Sequence, residues 1–266
     1  MIIGSIFANL NEVHLKAADG VKIRLKNNFF SRFALKFIGL PHIGMRVRAS
    51  CILGYLHQTS SSRTLIDAGS GTGIYSLSFA KLFLNVVALE IDQDQVNQGN
   101  LNAEKLGLRN LSFSQFDLTI QRLPEEYKNK AQLVICSDVL EHIEADEAAA
   151  NNLANMLAPG GCLFVTVPRI SDFARNVELD YDHKRVGYDE VTLKRLLETT
   201  GLNSIYSKQY MKFFGRLAWS VDRKIRNLKL LRVFLFWPLY ALASLDHILP
   251  FDPSAGGLFM VFQKTE

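Results

Sequence analysis

The sequence predicts an α/β protein with a parallel sheet covered by helices on both faces. Short apolar runs alternate with helix-period segments from Thr64 to Thr200, and that order buries a sheet between two helical layers. The first run, Thr64-Leu65-Ile66, ends in Asp67-Ala68-Gly69-Ser70-Gly71-Thr72-Gly73 before a helix-like stretch, Ile74 to Leu84. A length of 266 residues suits one large α/β domain with additions. A hydrophobic content of 48% and a charged content of 21% predict a packed core.

In chain order, Met1-Ile2-Ile3 lacks the basic start, long apolar run and cleavage site of a signal peptide, so no leader is expected. Residues 13 to 25 alternate weakly through Asp19-Gly20 and suit a short hairpin. Residues 29 to 40 form an amphipathic stretch stopped by Pro41, Met45 to Leu56 reads as a second helix, and Ser60-Ser61-Ser62 as a linker. Strands follow at Thr64 to Ala68, Val86 to Glu90, Leu111 to Phe116, Ala131 to Ser137 and Cys162 to Val167. Between them lie helices Gln93 to Leu106, ended by Gly107, and Ala145 to Leu157, stopped by Pro159-Gly160-Gly161. Asp92 is expected to cap the first of these, and Asp189 to cap a helix over Glu190 to Thr200 that ends at Gly201. Asn203 to Met211 and Gly257 to Lys264 supply the last two strands.

The glycine turn is where a ligand can approach the backbone. Glycine reaches φ > 0 and leaves no Cβ in the way, and a following helix offers free N–H groups at its start. The dinucleotide fingerprint fails because its third small position is Ile74, and the Gly-Lys-Ser/Thr ending of a phosphate loop is absent. An acid at the strand end suits a cationic ligand better than a pyrophosphate.

Acidic-x-Gly-x-Gly-x-Gly after a first strand resembles the first motif of the class I S-adenosylmethionine-dependent methyltransferases. Four further landmarks agree in order: Glu90, Asp117, Asp138-Val139-Leu140-Glu141-His142-Ile143 and Leu157-Ala158-Pro159-Gly160-Gly161. The resemblance covers roughly residues 64 to 168. It implies a doubly wound, Rossmann-like, mostly parallel seven-stranded sheet with an antiparallel last strand, and S-adenosylmethionine as cofactor. It implies a cofactor site of Asp67, Ala68, Gly69, Ser70, Gly71, Thr72 and Gly73, with Glu90 at the ribose, Asp117 or its neighbours at the adenine, and Ile91, Leu118, Ser137 and Asp138 among the cofactor-binding residues. The structural alternatives are a solvated acid at Glu90 and a loop cap at Asp117.

Methyl transfer from a sulfonium is an in-line displacement, which rests on alignment and exclusion of water; a base is needed where the acceptor is a hydroxyl or a protonated amine. Candidates lie at the carboxyl ends of the strands. His142 follows the fourth strand, and Leu179 to Tyr188 precedes the Asp189-capped helix much as a His-x-Arg-x-x-aromatic stretch does in small-molecule members of the resembled family. His183 is the leading base and Arg185 a holder of an anionic acceptor. In the alternative, both pin the loop to the following helix. No metal site is expected, and Cys51, Cys136 and Cys162 form no paired spacing, so reduced thiols and a cytoplasmic protein are expected.

Charge is distributed unevenly about a net +4. Residues 1 to 63 carry nine Lys/Arg against two acids, 211 to 245 seven against one, and 64 to 210 thirteen against twenty. The organisation expected is a basic helical extension over 1–63 and a methyltransferase domain over 64–266 with a helical insertion at 212–255. In that insertion Leu217, Val221, Ile225 and Leu228 share one helix face, and Val233 to Leu245 is free of charge but broken by Pro238. It is too short for a span, and the readings are peripheral contact through 212–249 with the inner face of a membrane, a homodimer surface, or a lid. The function expected is methyl transfer to a hydroxyl or carboxyl of a small or lipid-like molecule. The alternatives are a methyltransferase-like binding module without catalysis and an RNA methyltransferase; nucleic acid is disfavoured because Ser137-Asp138-Val139-Leu140 is not the Asn/Asp-Pro-Pro-aromatic form.

Overall fold

A computed structural model describes residues 42–56, 64–120, 122–171 and 183–265. The hairpin expected over 13–25, the stretch 29–40, the linker at Ser60 to Ser62 and residues 179 to 182 of the polar loop lie outside the described residues. The chain divides into two compact units: Ser61–Lys208 with Gly257–Glu266, and Gln209–Gly256 with the preceding helical segment that ends before Ser61.

The larger unit is built on strands β1 Thr64–Ala68, β2 Asn85–Glu90, β3 Leu111–Gln115, β4 Ala131–Ser137, β5 Leu157–Pro168, β6 Leu202–Tyr210 and β7 Gly257–Lys264. Their order in the sheet is β3-β2-β1-β4-β5-β7-β6. β1 to β5 pair in parallel, and β7 runs antiparallel to β5 from Gly257 opposite Pro168 to Gln263 opposite Cys162. This is the expected doubly wound sheet. β1, β4 and β7 are buried along almost their whole length, which is why they read as apolar runs and not as alternations.

Helices α1 Ile43–Leu56, α2 Ile74–Phe79, α3 Gln93–Lys105, α4 Asp146–Met156, α5 Glu190–Glu198, α6 Phe213–Ile225 and α7 Lys229–Ser244 complete the described elements, with 3-10 turns at Ala80–Leu82, Leu140–His142 and Leu245–Ile248. Asp92 and Asp189 are caps as expected: Asp92 accepts from the N–H groups of Asp94 and Gln95, Asp189 from that of Thr192. The N–H of Thr192 holds the Asp189 carboxyl below its ordinary value.

Two elements differ from the sequence reading. α2 ends at Phe79 and tightens into a 3-10 turn, because the Asn110 side-chain amide donates to the carbonyls of Ala80 and Phe83 at 2.6 and 2.8 Å. Pro159-Gly160-Gly161 lies inside β5, not ahead of it. The register there advances from Ala131 opposite Leu157 to Leu133 opposite Cys162, so β5 accommodates extra residues at an irregularity. The sequence left open which face of α6 is covered: its buried residues are Gly215, Ala218 and Asp222, while Leu217 of the apolar stripe is exposed, as is Leu228 beyond the helix end. Close approach decides this: a Cβ on Gly215 would stand 2.4 Å from Oδ2 of Asp246.

That Asp246 carboxylate accepts from the N–H groups of Lys212, Phe214 and Gly215 and so caps α6 from a distant part of the chain. Asp222 takes Arg232 in a two-pronged pair at 2.6 and 2.7 Å, joining α6 to α7. Asp252 pairs with Arg216 at 3.4 Å. In this helical unit Arg46 of α1 is 1% exposed, with its guanidinium 4.7 Å from the ring centre of Phe236 and 5.4 Å from that of Trp237. Among the described residues its Nε and Nη2 meet no acceptor, and burial pulls its pKa from 12.5 down to about 10. A depression of that size places ~3 kcal/mol against folding at neutral pH, partly offset by the two rings. Arg46→Met is therefore expected to raise stability by ~1–2 kcal/mol in urea unfolding; an equal loss would show that the cation–ring contacts outweigh desolvation.

Candidate active site

The strand order reverses at β1 and β4, so the carboxyl ends of these two strands open a crevice where ligands of such sheets bind. The turn after β1 lines it. Gly69, Gly71 and Gly73 all have positive φ, of 73°, 54° and 80°. A Cβ on Gly69 would lie 2.4 Å from a methyl of Val139, and one on Gly73 2.4 Å from the ring of Phe113. Both glycines are required by close approach as well as by conformation. The turn is fixed by the N–H groups of Gly69 and Ser70 donating to the Leu89 carbonyl at 2.8 and 2.9 Å.

Asp67 is buried, and its Oδ2 accepts from both the N–H and the hydroxyl of Ser76. One donor at the start of α2 is thus used internally. Burial pushes the Asp67 carboxyl up to about 6, opposed by the two Ser76 hydrogen bonds and reinforced by Glu90. Glu90 accepts from the Gly71 N–H at 2.7 Å and from the Asp92 N–H at 3.1 Å, tying the glycine turn to the start of α3. Each of its oxygens keeps a second lone pair for a hydroxyl.

Asp117 accepts from the N–H and hydroxyl of Thr119, the loop-cap arrangement. Leu118 is buried in the core, with its carbonyl held by Asn152 at 2.8 Å, and the Ile91 side chain is 62% exposed. Asp138 stands at φ 52°, a strained setting for a non-glycine residue at the end of β4. Its N–H donates to the Thr166 carbonyl at 2.8 Å, its Oδ1 accepts from the Thr166 hydroxyl at 3.1 Å, and Ser137 shares that hydroxyl at 2.8 Å.

The structure brings His142 and His183 together. Their rings meet edge to face at 4.3 Å, with Glu141 beside them and 1% exposed. One donor atom from each of the three lies within 4.8 Å of the others. The Glu141 carbonyl accepts from the N–H groups of Lys184 and Arg185, so backbone bonds hold the distant loop against the turn after β4. Two imidazoles and a carboxylate can relay a proton, and the same donor set is able to hold a divalent ion.

Arg185 has structural partners: it pairs with Asp146, donates to the Tyr188 hydroxyl and reaches the Glu144 carbonyl at 3.1 Å. The Tyr188 hydroxyl donates to Asp146 at 2.7 Å, and burial raises its pKa, with Asp146 adding to the effect. Tyr188 also joins the end of β5 through its N–H to the Pro168 carbonyl at 2.9 Å. Arg185 thus pins the loop to the start of α4. Sequence reasoning passed over Ser76, Asp146 and Thr166, which are polar residues in helix or strand patterns with nothing local to mark them. Tyr188 it placed only as the loop's last aromatic.

A family profile described as a methyltransferase domain matches residues 47–207. The chain belongs to this methyltransferase family. Among curated relatives, a ubiquinone biosynthesis O-methyltransferase of Shewanella pealeana is 27% identical over 115 residues, 42% of this chain and 48% of that protein. The chain spans about half the length of the curated relatives it matches. Of solved structures, a putative sarcosine dimethylglycine methyltransferase from Galdieria sulphuraria superposes with a TM-score of 0.60 at 14% identity, covering 83% of this chain and 86% of the other. An N-methyltransferase of Haemonchus contortus, solved with phosphomonomethylethanolamine and S-adenosylhomocysteine, gives 0.63 at 15% identity over 94% of this chain and 61% of its own. At these identities the structures bear on the fold.

The cofactor of this methyltransferase family is S-adenosylmethionine, and the residues of the crevice fit it. Among the positive-φ glycines of the turn, the buried Ser70 hydroxyl meets no hydrogen-bond partner among the described residues. A ligand with amino, carboxyl and ribose groups supplies such partners.

Proposed function

We propose that the protein is an S-adenosylmethionine-dependent O-methyltransferase acting on a hydroxyl or carboxyl of a small, lipid-like acceptor. The observation that carries this is the His142–His183 pair against buried Glu141, at the carboxyl end of β4 beside the glycine turn. The cofactor supplies an electrophilic methyl group on a sulfonium. Gly69 to Gly73, Glu90 and Asp138 would hold it, with Asp117, Leu118, Ile91 and Ser137 at its edges. An imidazole takes the proton of a hydroxyl, and a neighbouring carboxylate stabilises the imidazolium that forms. Arg185 and Tyr188 keep His183 in place by fixing its loop. A cytoplasmic location and peripheral contact through 212–249 with the inner face of a membrane belong to the same reading.

The test uses the full chain. Calorimetry with S-adenosylmethionine and S-adenosylhomocysteine is expected to show binding, and labelled methyl groups should pass to phenolic or carboxylic lipids. His183→Gln should lower turnover ~100-fold or more with cofactor affinity unchanged. Absence of cofactor binding by the folded protein would favour a binding module without catalysis, and label confined to RNA would replace the acceptor class.

A further inference from the structure

α7 is apolar on two opposite faces. Phe236, Leu239, Tyr240 and Ala243 are buried at helical spacing. Leu230, Phe234, Trp237 and Ala241 form the opposite stripe, and the 3-10 turn continues it through Leu245 and Ile248; all six are exposed, Phe234 by 75% and Ile248 by 79%. No charge interrupts residues 233 to 245. A helix apolar all round is ordinarily covered on every side, so this outward stripe calls for an apolar occupant. At 1.5 Å per residue it extends for about 27 Å. Among the described residues no helix is long and apolar enough to cross a membrane.

Charge selects the occupant. At the end of α6 and the turn that leads from it into α7, Arg223, Lys224 and Arg226 are exposed. The carboxylates of the same stretch, Asp222, Asp246 and Asp252, all point inward onto Arg232, the start of α6 and Arg216. The exposed charge beside the stripe is therefore cationic. A second copy of the chain would bring the same cations to the contact, with no exposed carboxylate from this stretch to meet them. An anionic bilayer meets both features, with aromatic side chains at headgroup depth and basic residues on the lipid phosphates. Pro238 sits in the outward half of α7 and removes the hydrogen-bond donor that the Phe234 carbonyl would otherwise have, so that carbonyl needs water or a headgroup.

We infer that the outward stripe of α7, from Leu230 to Ile248, and the cationic turn before it form an in-plane docking surface for an anionic phospholipid bilayer. This rests on the peripheral membrane contact of the proposed function, and it names the residues and the lipid chemistry. The full chain should sediment with vesicles of phosphatidylcholine and phosphatidylglycerol and far less with phosphatidylcholine alone. Leu230→Ser/Phe234→Ser and Lys224→Gln/Arg226→Gln should each weaken that binding roughly tenfold, with unchanged thermal unfolding and unchanged calorimetric affinity for S-adenosylmethionine. In Trp219→Phe, Trp237 is the sole remaining indole of two, and its emission should shift to the blue on mixed vesicles. No binding to mixed vesicles, equal binding by wild type and both variants, or a homodimer that Leu230→Ser/Phe234→Ser dissociates would overturn the inference. The cofactor titration, made without vesicles, tests the methyltransferase reading separately.

Discussion

Gly69→Ala is expected to weaken S-adenosylmethionine binding at least ~100-fold, and two independent effects combine to produce the loss. An alanine held at φ 73° carries a backbone strain of ~1–2 kcal/mol. The new methyl also lies 2.4 Å from a Val139 methyl, well inside contact distance, so the turn after β4 has to move. That turn carries Asp138 just before Val139 and Glu141-His142 just after it. Displacing it disturbs the cofactor cradle and the histidine pair together. The double variant Gly69→Ala/Val139→Ala removes the clash and keeps the strain. It should regain part of the affinity in calorimetry, and thermal unfolding of both variants reports the strain. Wild-type affinity in the single variant would show that this turn does not hold the cofactor.

Which parts of this arrangement the sequence disclosed follows from how local their physics is. A glycine at every second position after a buried strand, an acid at the next strand end and caps at Asp92 and Asp189 are local features, and the structure shows each where the chain predicts it. The sheet order follows from the alternation of strands and helices together with the resembled family. The covered face of α6 is not legible in the local pattern. Hydrophobic periodicity marks the larger apolar stripe, but small size at Gly215 and Ala218 and the inward charge of Asp222 decided which face is covered. The proximity of His183 to His142 spans 41 positions and depends on the Glu141 carbonyl receiving two N–H groups of a distant loop. Nothing in either local segment encodes that contact. Arg185 illustrates the same limit: residue type and position suited ligand binding, and its partner Asp146 turned it into a fastener of the loop.

Asp67→Asn should stabilise the protein at pH 7.5 while weakening its hold on the cofactor. Burial raises the folded carboxyl from 3.8 to about 6, so between these values the folded chain binds more protons than the unfolded one. Stability from this group accordingly falls as pH rises from about 4 to about 6, and above that the ionised, buried carboxylate leaves ~3 kcal/mol against folding. Asparagine can still accept from Ser76 and carries no charge, so the variant should unfold at higher temperature at pH 7.5 and lose the slope contributed by this group in that window. Cofactor binding has the opposite sign. A cationic ligand favours the ionised form of Asp67, so binding to the wild type should release a proton near pH 6, and affinity should improve between pH 5 and pH 7.5. Every other group of the site is common to both proteins, so the difference between wild type and variant isolates Asp67. Calorimetry in two buffers of different ionisation heat measures the released proton directly. If the wild type and Asp67→Asn show the same affinity and the same proton release, the carboxylate serves only to hold Ser76, and the preference of this turn for a cationic ligand comes from elsewhere in the crevice.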